Sequence, residues 1–171
     1  MAYLDKLADI NTCILDVDGV LTDGSVYVQA DGSLQRKMNV KDGFAIKWAL
    51  AKGIQCIIIT GGRCEGVKKR LEGLGVQHIY LGVQNKKELF NQLVHSGLFD
   101  PHHCLYMGDD IPDLACMRHV LLPCCPADAC PEVLAVSDYI SHQSGGQACV
   151  RDILEKVLRV QDKWNFTNLD Q

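Results

Sequence analysis

Four short segments of this 171-residue chain carry side chains suited to moving a phosphoryl group: Asp16-Val17-Asp18-Gly19, Thr60-Gly61-Gly62, Lys86 and Gly108-Asp109-Asp110-Ile111-Pro112-Asp113. Together they supply five carboxylates, a hydroxyl and one ammonium. A carboxylate can attack phosphorus to form an aspartyl-phosphate, dividing one hard displacement into two easier ones. A second carboxylate two residues on can protonate the leaving alkoxide and later take a proton from water. A lysine neutralises charge on the transferring group, while a hydroxyl and backbone N–H groups orient it. So many carboxylates in one place repel each other and lose solvation, so a hard divalent cation is expected among them. Magnesium comes first, because it commonly takes one or two carboxylates together with waters and phosphate oxygens.

Each segment also has a bland reading. Asp109-Asp110 suits a helix start, since acidic side chains favour that end of the macrodipole. Thr60-Gly61-Gly62 suits a strand-to-helix turn, and Lys86 suits a solvated surface. Lys86 is the more telling residue. Asn85 and Glu88 mark a helix start around it, and a cation in the first turn opposes the dipole unless something else holds it there.

The elements that must position these residues follow from the pattern of apolar runs. Strands are expected at Thr12 to Asp16, Gln55 to Thr60, His78 to Leu81, Cys104 to Met107, Val120 to Pro123 and Asp138 to Ser141. Helices are expected from Asp42, as cap, to Ala51, and over Cys64 to Leu74, Lys86 to His95, Ile111 to Arg118 and Ala148 to Val160. Ser25 to Gln29 and Leu34 to Val40 alternate around Ala30-Asp31-Gly32-Ser33 and read as a hairpin. Strands apolar on both faces and alternating with ten-residue helices imply an α/β fold: a doubly wound, Rossmann-like parallel sheet with a projecting hairpin. In such sheets ligands sit beyond the carboxyl ends of the strands, which is where the acidic segments fall.

At about 150 residues per domain the chain is expected to form one domain over residues 1–171. Hydrophobic residues make up 47% and charged residues 22%, as in an ordinary globular domain. The net charge of −4 gives no global field toward nucleic acid or anionic membranes, so neither partner is expected. Met1 to Ile10 lacks the apolar run of a signal peptide, and the reading is of a cytoplasmic protein. The nine cysteines form no Cys-x-x-Cys pair and several fall in strand-like runs, which reads as reduced, buried side chains.

Taken in this order, the four segments resemble the haloacid dehalogenase superfamily of phosphotransferases, with the match extending over Asp16 to Asp113. The resemblance implies Asp16 as nucleophile, Asp18 as general acid and base, and Thr60 and Lys86 as phosphate holders. It implies a magnesium ion shared by Asp16, the main-chain carbonyl of Asp18, and Asp109, with Asp110 or Asp113 one layer further out. Members of the superfamily usually close the site with a cap domain. Here the stretch from Asp18 to Thr60 has room only for a hairpin, a helix and a strand, so no cap is expected. A lone two-stranded ribbon is marginal in water, so this one should pack on a neighbouring subunit.

A fuller resemblance, over nearly the whole chain, is to the capless phosphatases acting on 3-deoxy-D-manno-octulosonate 8-phosphate, which are homotetramers. Val40-Lys41-Asp42-Gly43, Thr60-Gly61-Gly62-Arg63, Gly108 to Asp113, Pro126-Ala127-Asp128-Ala129 and Gly145-Gly146 carry it. Gln147 departs from the Gly-Gly-Arg often found there. The resemblance implies a phosphoric monoester hydrolase of lipopolysaccharide precursor synthesis, acting on a small phosphorylated sugar acid. Gly61, Arg63 and Arg70 are the substrate contacts it suggests, with Arg36 and Lys37 of a neighbour's hairpin as further cations. Relatives that hydrolyse nine-carbon keto-acid 9-phosphates share these motifs, and the open space left by Gly62 favours the octulosonate. Two readings of other classes compete. A receiver-like module carries its acidic pair after the first strand, unlike this chain, and the intact Asp16, Asp18, Lys86 and Asp109 argue against a silent oligomerisation domain.

Overall fold

The computed structural model describes residues 3–166. Its strands are β1 (Thr12–Leu15), β2 (Tyr27–Val28), β3 (Leu34–Gln35), β4 (Gln55–Ile59), β5 (His78–Tyr80), β6 (Cys104–Met107), β7 (Leu122–Cys125) and β8 (Tyr139–Ile140). Its helices are α1 (Tyr3–Leu7), α2 (Val40–Ala51), α3 (Glu65–Glu72), α4 (Lys86–His95), α5 (Ile111–Met117), α6 (Pro131–Val136) and α7 (Cys149–Val160). Six strands form one sheet in the order β5-β4-β1-β6-β7-β8, and every pairing in it is parallel. β1 lies in the interior, with Cys13 opposite Cys56 on one side and Leu105 on the other. After β5 the chain crosses back to β6, so the direction of winding reverses at β1. That reversal opens a crevice at the carboxyl ends of β1, β4 and β6.

The sheet is apolar on both faces because both are covered. Cys13 and Leu15 join the cluster under α2 and α7, while Ile14 joins the one formed by Phe90, Cys116 and Val133 of α4, α5 and α6. α7 buries Val150, Ile153, Leu154, Val157 and Leu158, the stripe a helix presents when one side meets a core.

Most elements form where the sequence places them, with informative exceptions. α1 and α6 were not expected; Pro131 opens α6, where its missing N–H costs nothing. β7 continues through Pro123 to Cys125 instead of stopping there. Proline loses a donor, but its carbonyl still accepts from Asp138 N at 2.9 Å. The hairpin is only the pair β2–β3, two residues on each side.

Asp42 does not cap α2. Asn39 does, accepting from Lys41 N at 2.9 Å, and Asp42 lies buried with its Oδ1 accepting from Arg151 N of α7 at 2.7 Å. The N-cap of α7 is Ala148, which has no side-chain oxygen to offer, so a carboxylate from another helix serves its first turn. Burial pushes Asp42 up to about 6, against the lowering effect of those backbone hydrogen bonds. A carboxyl raised in the folded state binds its proton more tightly there than in the unfolded chain. Its contribution to stability is therefore complete below about pH 4 and is lost as pH rises to about 6. Asp42→Asn should remove this dependence, gaining on wild type by about 3 kcal/mol between those limits. Urea unfolding at several pH values checks it, and parallel curves for the two proteins would refute it.

Candidate active site

Asp16 follows β1 directly, in extended backbone just before the turn. Its Oδ1 accepts from Val17 N at 2.7 Å and its Oδ2 lies 2.8 Å from Lys86 Nζ. The chain then turns at Gly19, whose φ is +85°. A Cβ on Gly19 would stand 1.9 Å from Asp109 Oδ2, so only glycine lets this turn approach the acidic loop after β6. Thr60, at the end of β4, is buried, with its Oγ1 accepting from Gly62 N at 3.1 Å. The turn is pinned to the loop after β5 by Gly82 N to Gly62 O and Val83 N to Thr60 O, both 3.0 Å.

Lys86 opens α4, and it is not a solvated lysine. It is buried, and its Nζ also donates to Asp113 Oδ1 at 2.7 Å. Two carboxylates thus supply the partner charge that its place in the first turn requires. Burial alone would lower the Lys86 ammonium, but Asp16 and Asp113 more than offset this and hold it above the ordinary lysine range. Asp113 is fully buried and takes a second donor, Tyr106 Oη of β6, at 2.7 Å. Asp110, in contrast, follows its bland reading: it is exposed and caps α5, accepting from Ile111 N at 2.8 Å.

Asp16, Asp109 and Asp113 bring carboxylate oxygens within 4.8 Å of one another. Burial and the neighbouring negative charges push Asp16 up to about 6 and Asp109 up to about 7. Asp109 Oδ1 and Asp113 Oδ2 are buried without a hydrogen-bond partner. Orphaned, mutually repelling hard oxygens are what a divalent cation such as magnesium satisfies, so the donor set fits the expected ion. Asp113 contributes an oxygen to this grouping while its other oxygen holds Lys86.

One cavity of about 440 Å³ is lined by Asp16, Asp18, Thr60, Gly61, Lys86 and Asp109 among others. Arg63 and Arg70 do not line it. Arg63 packs back over the loop after β5, with its Nε 2.3 Å from where a Cβ on Gly82 would stand. Arg70 lies within α3 and faces a separate cavity together with Arg36. The hairpin cations also differ from expectation, since within this chain Arg36 pairs with Asp18 and Lys37 with Asp23. Tyr106 and the Arg36–Asp18 pair are the participants that the sequence did not flag. A tyrosine inside an apolar strand signals a buried partner, but only the fold shows that the partner is Asp113.

A parallel sheet with Asp16 and Asp18 after the central strand, Thr60 and Lys86 to one side and the acidic loop to the other defines a hydrolase of the haloacid dehalogenase superfamily. No protein-family model matches the chain. The chain is 38% identical over 160 residues to 3-deoxy-D-manno-octulosonate 8-phosphate phosphatase KdsC of Salmonella typhi, covering 94% of this chain and 85% of that one. The Escherichia coli K12 protein of the same name is 37% identical over 158 residues, covering 92% and 84%. Among solved structures, the Yersinia pestis phosphatase superposes with a TM-score of 0.89 at 34% identity, covering 94% of this chain and 86% of that one. The Moraxella catarrhalis phosphatase, in complex with a magnesium ion, a phosphate ion and a KDO molecule, gives 0.89 at 32% identity, covering 94% and 92%. The chain belongs to the KdsC family of 3-deoxy-D-manno-octulosonate 8-phosphate phosphatases.

Proposed function

We propose that this chain is a magnesium-dependent phosphatase that hydrolyses 3-deoxy-D-manno-octulosonate 8-phosphate to the sugar acid and phosphate, working as a homotetramer. The observation that carries the reading is the cluster of Asp16, Asp109 and Asp113 around the Lys86 ammonium, with two buried carboxylate oxygens still lacking partners.

Asp16 attacks phosphorus through a carboxylate oxygen, forming a P–O bond to the enzyme as the P–O bond to the sugar breaks. Asp18 gives a proton to the leaving sugar oxygen, then removes one from the water that cleaves the aspartyl-phosphate. Lys86 balances charge on the phosphoryl oxygens, and Thr60 with the backbone of Gly61 and Gly62 orients them. Tyr106 and Asp113 hold the Lys86 side chain toward Asp16. Magnesium, held by Asp16 and Asp109 with the Asp18 carbonyl, would neutralise charge on the transferring group. Arg63 and Arg70 are candidates for the distal carboxylate of the substrate. Either would need the rest of the sugar to reach out of the catalytic cavity.

Phosphate release from the octulosonate 8-phosphate should exceed that from hexose phosphates, which lack the carboxylate, and from nine-carbon keto-acid 9-phosphates in kcat/KM, and chelation should abolish it. Equal turnover of all three classes, or full activity after metal removal, would defeat the reading.

The homotetramer is supported by a site that no cap covers among the described residues and by the hairpin, which exposes Val26, Tyr27, Val28 and Leu34. Apolar side chains on so short a ribbon call for a partner. Light scattering should give a mass of four chains, and Tyr27→Asp with Val28→Asp should dissociate it. A fully active monomer would remove the argument. All nine cysteines are unpaired, and seven of them are buried, which suits the cytoplasm.

A further inference from the structure

Arg36, the residue after β3, donates from Nε to Asp18 Oδ1 at 2.6 Å and from Nη2 to Asp18 Oδ2 at 2.9 Å. This is a two-point guanidinium–carboxylate fork, among the stronger side-chain contacts available. It stands where two cavities meet. Asp18 lines the catalytic one, while Arg36 lines a neighbouring cavity of about 490 Å³ with Arg70, Gln35 and Cys64. Among the described residues no acidic side chain lines that second cavity, so its two guanidinium groups face it without a carboxylate of its own lining. Gly62 makes room for the fork, since a Cβ at that position would stand 3.0 Å from both Arg36 Nη2 and Asp18 Oδ2.

While the fork is closed, both oxygens of Asp18 are engaged and the carboxylate cannot turn to serve a leaving group. Opening the fork with nothing in exchange sacrifices two charge-assisted hydrogen bonds. Opening it in exchange for another carboxylate conserves both the bonds and the charge balance. We propose that Arg36 is a specificity-determining positioning residue that holds Asp18 in the free enzyme and passes its fork to the carboxylate of an incoming sugar-acid phosphate. Asp18 is then released, free to take up a proton from solvent and deliver it to the leaving oxygen, only when the substrate brings a second anion. This inference rests on the substrate class proposed above. It adds that selection occurs through access to the acid catalyst as well as through affinity.

The test is steady-state kinetics of the full chain with magnesium, comparing wild type, Arg36→Ala and Arg36→Lys on 3-deoxy-D-manno-octulosonate 8-phosphate and glucose 6-phosphate. For Arg36→Ala, kcat/KM should fall at least about tenfold on the sugar acid, which loses its partner, and rise about threefold or more on the hexose phosphate, for which Asp18 is now free. Lysine keeps the charge without the planar fork, so Arg36→Lys should fall between the two on both substrates. Opposite movement on two substrates is a result that a merely structural role for Arg36 does not give. Equal losses on both substrates, or no change on either, would overturn the inference while leaving the substrate assignment intact. Wild type that does not favour the sugar acid would overturn both.

Discussion

Asp16→Asn should lower kcat by at least about 10⁴-fold while leaving the fold intact, because the amide keeps the shape of the side chain but removes the attacking charge. The structure supplies the reason for so large an effect. Asp16 stands at the end of the central strand, one oxygen fixed by Val17 N and the other facing Lys86, so no neighbouring carboxylate can take its place without moving the backbone. Asp109 and Asp113 are close, but one sits in the loop after β6 and the other in the first turn of α5, packed against Gly108 so tightly that a Cβ there would stand 2.4 Å from the Asp113 Cβ. Stopped-flow or steady-state phosphate release on the purified variant measures the loss. A residual rate above about one hundredth of wild type would show that Asp16 is not the nucleophile.

Lys86→Met should lower kcat by about 10³-fold, since Lys86 is the one cationic side chain lining the catalytic cavity among the described residues. The methionine retains the stem that packs at the start of α4 and removes only the ammonium. Its loss strips Asp113 of one of two donors and leaves Asp16 without its partner, so the metal-free protein should also melt earlier. Added magnesium should recover part of that stability, because the cluster would then hold its own cation. Kinetics with a thermal melt at two magnesium concentrations separates the effects. A fall in kcat of less than about tenfold would place Lys86 outside the chemistry.

The architecture was legible because parallel strands covered on both faces must be apolar throughout. Thr12–Leu15, Gln55–Ile59 and Cys104–Met107 announce themselves in this way. Acidic residues placed just after such strands then identified the working edge of the sheet. Lys86 was legible for a different reason, as a cation where the helix dipole disfavours one, and the structure resolves that conflict with two carboxylates. What stayed hidden depends on contacts between residues far apart in sequence. Asp42 looked like a local cap and instead serves α7, more than a hundred residues away. Arg36 reads as a cation that a neighbour's hairpin could offer the substrate until the fold sets it against Asp18 of its own chain. Asp110 and Asp113 are indistinguishable as acidic residues; the first turn of α5 sends one to solvent as a cap and buries the other beneath Tyr106.

The steric course at phosphorus tests the central claim most directly. The substrate's phosphoryl group is made chiral with oxygen isotopes and a sulfur atom, and the configuration of the released thiophosphate is read after turnover. Attack by Asp16 followed by attack of water comprises two in-line displacements, and retention of configuration is the result expected. Inversion would mean that water attacks the substrate directly, and it would contradict the role given to Asp16.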